Sequence, residues 1–149
     1  MARFRYNLQN ILNIKEKLET QARQQFAEAK RQLDEEEEKL RQLYEKKRML
    51  EEEARRLLLG VLDFHEIDNN QLSRIFCDQQ IAAQEDAVRR ANRNLELARE
   101  ALEESVKERK IHEKLREKAF DEFLQEESRA ESKTIDELTT YTYGQKKNK

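Results

Sequence analysis

Apolar side chains recur along this chain at steps of three and four residues, and this spacing constrains the fold more than any other feature. Such steps place side chains on one stripe of an α-helix, as in the heptads of a coiled coil. We therefore expect a long first helix from Arg3 to about Leu59, with a local unwinding of the supercoil near Leu18, where two steps of four follow each other. The members of this series are Phe4, Leu8, Ile11, Leu18, Ala22, Phe26, Ala29, Leu33, Leu40, Leu43, Leu50, Ala54, Leu57 and Val61.

A second series of the same kind follows in the second half of the chain. It predicts a second helix from about Leu72 to Thr140, and its later steps of four predict a stripe that drifts around the helix. Residues 141–149 are polar and basic and are expected to fray. The members are Ile81, Val88, Ala91, Leu95, Ala98, Leu102, Val106, Ile111, Leu115, Ala119 and Phe123.

The segment 60–71 interrupts both series and contains the turn-forming residues of the chain. Gly60 is expected just past the end of the first helix, because glycine tolerates the left-handed conformation there. Either Asp63 with Glu66, or Asn69 and Asn70, could cap the second helix. A short link between two long helices predicts that they run antiparallel. The predicted fold is all-α, a long two-helix antiparallel coiled coil (a helical hairpin) forming one domain over residues 1–149.

The composition supports few and long elements. Charged residues make up 42% of the chain and hydrophobic residues 36%, and there is no proline. Globular domains average roughly 25% charged and 45–50% apolar residues, so a compact enzyme core is not expected. With 30 basic and 32 acidic residues, the formal net charge is −2, which favours neither nucleic acid nor a membrane as partner.

Few residues offer enzyme or metal chemistry. His65 and His112 lie far apart on the predicted hairpin, and the spacing of His65, Glu66 and Asp68 matches no metal motif. Cys77 is expected to be a small buried side chain rather than a nucleophile. We predict no enzyme activity, no cofactor and no metal site, and, with one cysteine and no long apolar segment, a cytoplasmic setting.

Three stretches together resemble the FliJ family of flagellar type III export proteins over nearly the whole chain. They are Phe4–Glu19, Lys114–Lys118 and Glu131–Leu138, the last two separated by Phe120, Phe123 and Leu124. The resemblance implies a monomeric, non-enzymatic, stalk-like coiled coil that promotes protein export and lies at the inner face of the cell membrane through the export apparatus.

The resemblance also implies partners and contact residues. The two chain ends would bind the hexameric export ATPase (FliI type), and the part near the hinge would bind the cytoplasmic linker of the export-gate membrane protein (FlhA type). Export chaperones are further possible partners. The implied ATPase contacts are Phe4, Arg5, Leu8, Leu115, Arg116, Glu117 and Lys118. The implied gate contacts are Leu43, Leu50, Ile75 and Gln79.

Two other functions are compatible with the same pattern. Heptads can face a second copy as well as the same chain, so a parallel dimer acting as a cytoplasmic tether is one alternative. An adaptor that resembles an export chaperone is the other. Measuring the mass in solution separates the dimer from the monomer.

Overall fold

The computed structural model describes residues 3–147, and in that part of the chain it contains two α-helices and no strand. Helix α1 is Gln9–Leu57 (49 residues) and helix α2 is Phe64–Lys147 (84 residues). They pack antiparallel along heptad positions, which confirms the predicted helical hairpin.

The chain divides into two compact units. The terminal unit consists of Met1–Thr20 and Glu104–Lys149, and the hinge unit is Gln21–Glu103. Each unit contains part of α1 and part of α2, so each has its own interface between the helices.

The turn in the hinge unit is shorter than predicted, comprising residues 58–63 rather than 60–71. Gly60 has a φ of 77°, the left-handed conformation expected after a helix end. The Asp63 carboxylate accepts hydrogen bonds from the backbone N–H of His65 (3.0 Å) and of Glu66 (3.3 Å). Asp63 is therefore the N-cap of α2, which begins about two turns before the predicted start at Leu72.

Asn70, the other capping candidate, has a different role in the hinge unit. Its side chain is buried; Nδ2 donates to the Leu50 carbonyl oxygen (3.0 Å) and Oδ1 accepts from Arg74 Nε (2.8 Å). Asn70 thus connects α2 to α1 instead of starting a helix.

The hinge unit has the hydrophobic core that the apolar spacing predicts. Leu33, Ala91 and Leu95 are buried, and Phe26, Ala29 and Val88 pack against them. Val61 is the exception, because it lies in the turn and is 98% exposed. The polar residues at heptad positions pair across the interface: Gln84 Nε2 donates to the Glu36 carbonyl oxygen (2.9 Å), and Lys47 forms an ion pair with Asp78 (3.1 Å).

In the terminal unit, the buried side of α1 is offset by one residue from the prediction. Leu12 and Glu19 are 3% and 6% exposed, whereas Leu18 is 43% exposed. Lys15 lies between them on the same side and pairs with Glu108 at 2.7 Å. Residues 12, 15 and 19 keep the regular three-and-four spacing, so the predicted unwinding near Leu18 is wrong.

The same correction applies to α2 in the terminal unit. Ile111 and Leu115 are exposed, and the predicted drift of the stripe is wrong. The half-buried side chains instead continue the heptad spacing with polar members; they are Ser105, Arg109, His112, Ala119 and Phe123. Arg109 takes an inner position because it has a charged partner across the interface, Glu19.

The two helix ends in the terminal unit also differ from the prediction. Helix α1 begins at Gln9 rather than Arg3, and the non-helical segment before it places the Phe4 ring against Phe120 of α2. Helix α2 continues to Lys147, through most of the tail that was expected to fray. Asn148 and Lys149 of that tail lie outside the described residues.

Candidate partner-binding sites

An aromatic cluster joins the amino-terminal segment to α2 in the terminal unit. The Phe4 ring meets Phe120 edge-to-face, with centroids 5.0 Å apart, and lies 5.4 Å from the Phe123 ring. The Arg116 guanidinium lies 5.7 Å from the Phe4 centroid, a cation–π contact, and its Nε donates to Gln9 Oε1 at 2.9 Å. Two of the resembling stretches, more than 100 residues apart, therefore meet at one place.

The other predicted ATPase contacts surround this cluster but are not part of it. Arg5, Glu117 and Lys118 are exposed, and Leu8 and Leu115 keep more than two fifths of their surface accessible. Phe4 and Arg116 connect the amino-terminal segment to α2, so they have a structural role in addition to their predicted contact with the ATPase. Their contact with an ATPase stays a prediction.

Charge pairs between the helices stabilise the ionised forms in the terminal unit. The hydrogen bonds that the Arg109 guanidinium donates to Glu113 and then to Glu19 raise its pKa. The hydrogen bond from Lys15 lowers the pKa of Glu108. Both shifts favour the ionised forms of Arg109 and Glu108, and the pairs Glu19–Arg109 and Lys15–Glu108 link α1 to α2 in this unit.

The predicted gate contacts in the hinge unit fall into two groups. Leu43 and Leu50 are half-buried on the inner side of α1. Their carbonyl oxygens accept hydrogen bonds from Cys77 Sγ (3.6 Å) and from Asn70. Ile75 and Gln79 are exposed and lie four residues apart on α2. The structure thus leaves Ile75 and Gln79 accessible to a partner and places the two leucines mainly in the interface.

An exposed apolar group at the turn of the hinge unit was missed in the sequence. Its signal in the sequence is the apolar run Leu57–Leu62, interrupted by Gly60, of which only Leu57 and Val61 belong to the heptad series. Its accessible members and their neighbours are Leu58, Leu59, Val61, Leu62, Phe64, Leu72 and Phe76.

The remaining candidate chemistry is sparse. Within residues 3–147, no group of three or more His, Cys, Asp or Glu side chains is arranged to hold a metal ion. Over the same residues, neither helix has a stretch long and apolar enough to cross a membrane. Cys77 is fully buried, as expected for a packed side chain.

Comparison with known proteins decides the family. The family model described as "Flagellar FliJ protein" matches residues 4–148. The chain belongs to the FliJ family. It is therefore a component of a type III protein export apparatus.

A solved structure shows the same fold. It is a putative YscO homolog, CT670, from Chlamydia trachomatis, with a TM-score of 0.80 and 24% identity over 99% of each chain. At that identity the likeness concerns the fold alone. No curated protein matches this chain significantly.

Proposed function

We propose that this FliJ-family chain is a non-enzymatic, stalk-like component of the flagellar export apparatus. Its terminal unit binds the hexameric export ATPase (FliI type), and its hinge unit binds the cytoplasmic linker of the export-gate protein (FlhA type). These contacts promote protein export.

The contact of the amino-terminal segment with α2 is the observation that carries the ATPase part of this proposal. The Phe4 ring packs on Phe120 and Phe123, so the amino-terminal stretch and Lys114–Lys118 present their exposed side chains from one unit. Arg5 and Lys118 offer mobile positive charge that can pair with carboxylates. Exposed ion pairs are individually weak, so several must act together, and binding should weaken as salt rises.

Stimulation of ATP hydrolysis by a purified export ATPase tests this contact. The variant should combine Arg5→Glu with Lys118→Glu and leave Arg116 unchanged, because Arg116 supports Phe4. We expect the concentration for half-maximal stimulation to rise about fivefold at low salt. Higher salt should have a similar effect on the unchanged protein.

Lys46→Glu is the matched control, since Lys46 is an exposed lysine of the hinge unit. It should stimulate the ATPase like the unchanged protein. Equal stimulation by the double variant and this control would remove Arg5 and Lys118 from the contact. Absence of any stimulation by the unchanged protein would contradict the proposed partner.

Binding to the gate linker tests the hinge unit. Ile75→Asp and Gln79→Asp change exposed side chains and should weaken binding while the helix content and melting temperature stay unchanged. Leu97→Asp is the control, because Leu97 is exposed elsewhere in the same unit. Leu43→Asp and Leu50→Asp should lower the melting temperature as well, because their side chains are half-buried. Undiminished binding by both exposed-site variants would place the gate contact elsewhere.

A further inference from the structure

Five apolar side chains of the terminal unit are exposed on one side of its helix pair. On α1 they are Ile11, Ile14 and Leu18, and on α2 they are Ile111 and Leu115. The α1 residues follow steps of three and four, so they form a second stripe, next to the one that packs on α2. A stripe with this spacing fits the side chains of another helix.

The ion pair between Lys15 and Glu108 shows that the exposed apolar residues of α1 and those of α2 lie on the same side of the helix pair. Lys15 lies four residues after Ile11 and three before Leu18, so it borders their stripe. Glu108 lies three residues before Ile111 and seven before Leu115, on the same side of α2. Because Lys15 Nζ and Glu108 Oε2 are 2.7 Å apart, the exposed apolar residues of both helices face the same way.

Lysines surround these apolar side chains. Lys107, Lys114 and Lys118 are each three or four residues from Ile111 or Leu115, and Lys17 is three residues from Ile14. All four are exposed, and within residues 3–147 none of them forms an ion pair. Glu108 is already paired with Lys15. The face therefore combines apolar side chains with a rim of four lysines, none of which is engaged in an ion pair among the described residues.

We propose that this basic-rimmed face, comprising Ile11, Ile14, Leu18, Ile111 and Leu115 with Lys17, Lys107, Lys114 and Lys118, binds an acidic amphipathic helix of a partner protein. The partner's apolar side chains insert between those of α1 and α2, and its carboxylates pair with the four lysines. The identification of that partner as the export ATPase rests on the proposed function, whereas the chemistry of the face does not.

The composition of the face favours a protein helix over a lipid surface. Interfacial membrane helices combine basic residues with bulky Trp, Phe or Leu side chains and insert one broad apolar side. Here the five apolar residues are aliphatic and divided between two parallel stripes, which is the arrangement that receives a third helix in a coiled coil.

Fluorescence anisotropy with a synthetic peptide tests the proposal directly. The probe is an amphipathic helix with a leucine stripe flanked by glutamates, and its twin has lysines in place of the glutamates. The unchanged protein should bind the glutamate peptide in preference to the lysine peptide. Ile14→Asp and Lys114→Glu should each weaken binding by about tenfold or more, since truncated or reversed central contacts dominate such interfaces.

Matched controls are available in the hinge unit. Leu97→Asp corresponds to Ile14→Asp, because the two side chains are 59% and 54% exposed, and Lys46→Glu corresponds to Lys114→Glu. Circular dichroism should show the same helix content in all four variants. If Ile14→Asp loses helix content, Lys114→Glu still tests the face.

Several results would overturn the proposal. The proposal fails if the protein does not prefer the glutamate peptide, or if Lys114→Glu binds that peptide fully. It also fails if the protein binds phosphatidylserine vesicles instead of the peptide, or if light scattering shows a dimer that Ile14→Asp dissociates. The ATPase assay separates this proposal from the proposed function. Peptide binding without ATPase stimulation would reject only the ATPase as partner, and stimulation without selective peptide binding would reject only the face.

Discussion

Leu12 and Leu18 form a matched pair for testing which side of α1 is buried in the terminal unit. Both are leucines of the same helix and the same unit, and Leu12 is 3% exposed whereas Leu18 is 43% exposed. The apolar spacing alone places Leu18 inside and omits Leu12. Replacing each in turn by alanine therefore distinguishes the observed packing from the one that the sequence predicts.

The expected cost follows from the buried fraction of each side chain. Leu→Ala removes three carbon atoms, and each buried methylene contributes about 0.8 kcal/mol, so Leu12→Ala loses about 2.4 kcal/mol of transfer free energy. The gap left between two helices opens to solvent, so the added cavity term is small, and we expect about 2–3 kcal/mol in total. Leu18 is 43% exposed, so Leu18→Ala loses little more than half of the transfer term, about 1.4 kcal/mol at most.

Equilibrium urea unfolding followed by circular dichroism measures both changes. The midpoint should fall more for Leu12→Ala, with the slope of the transition unchanged. Glu103→Ala should leave the midpoint within experimental scatter, since Glu103 is exposed. An equal or larger loss for Leu18→Ala would refute the observed register and restore the predicted one.

Three further predictions concern the turn and the assembly. Asn70→Ala should cost about 1–3 kcal/mol in unfolding experiments, because it removes the hydrogen bonds that the buried Asn70 side chain makes with the Leu50 carbonyl oxygen and with Arg74. Asp63→Ala should cost about 1 kcal/mol in thermal melts through loss of the α2 N-cap, and an unchanged melting temperature would argue against the cap. Light scattering should give a mass near the 18.0 kDa of one chain. Labels at Leu8 and Phe123 should be close within one molecule, and a stable dimer without that proximity would contradict the hairpin.

The sequence predicted the hinge unit better than the terminal unit, for a physical reason. In the hinge unit, Leu33, Ala91 and Leu95 are both apolar and buried, so hydrophobic spacing identifies the interface. The start of α2 was less accessible to prediction. Both Asp63 and Asn70 suit a cap chemically, and only the contact of Asn70 with Leu50 shows that it faces α1.

The terminal unit could not be predicted from apolar spacing, because charged side chains occupy its inner positions. Burying Glu19 is unfavourable unless a cation is near, and that cation is Arg109, 90 residues away along the chain. A one-dimensional pattern therefore selects Leu18, one position before Glu19. The prediction of the ATPase contacts was limited in the same way. From the sequence, Arg116 is a charged side chain available to a partner, and only the structure shows that it contacts Phe4.

The charged interior and the exposed aliphatic residues of the terminal unit have one explanation. The largely buried pair Glu19–Arg109 and the partly exposed pair Lys15–Glu108 add little net stability compared with apolar packing, so they are not what maximal stability of this unit alone would select. Polar residues at inner positions do specify the register, because a one-residue rotation separates each charge from its partner. Holding that register keeps the aliphatic stripe on the outside, where a partner helix can cover it. On this reasoning, the ion pairs that give up stability in the isolated chain preserve the surface that we propose for binding a partner helix.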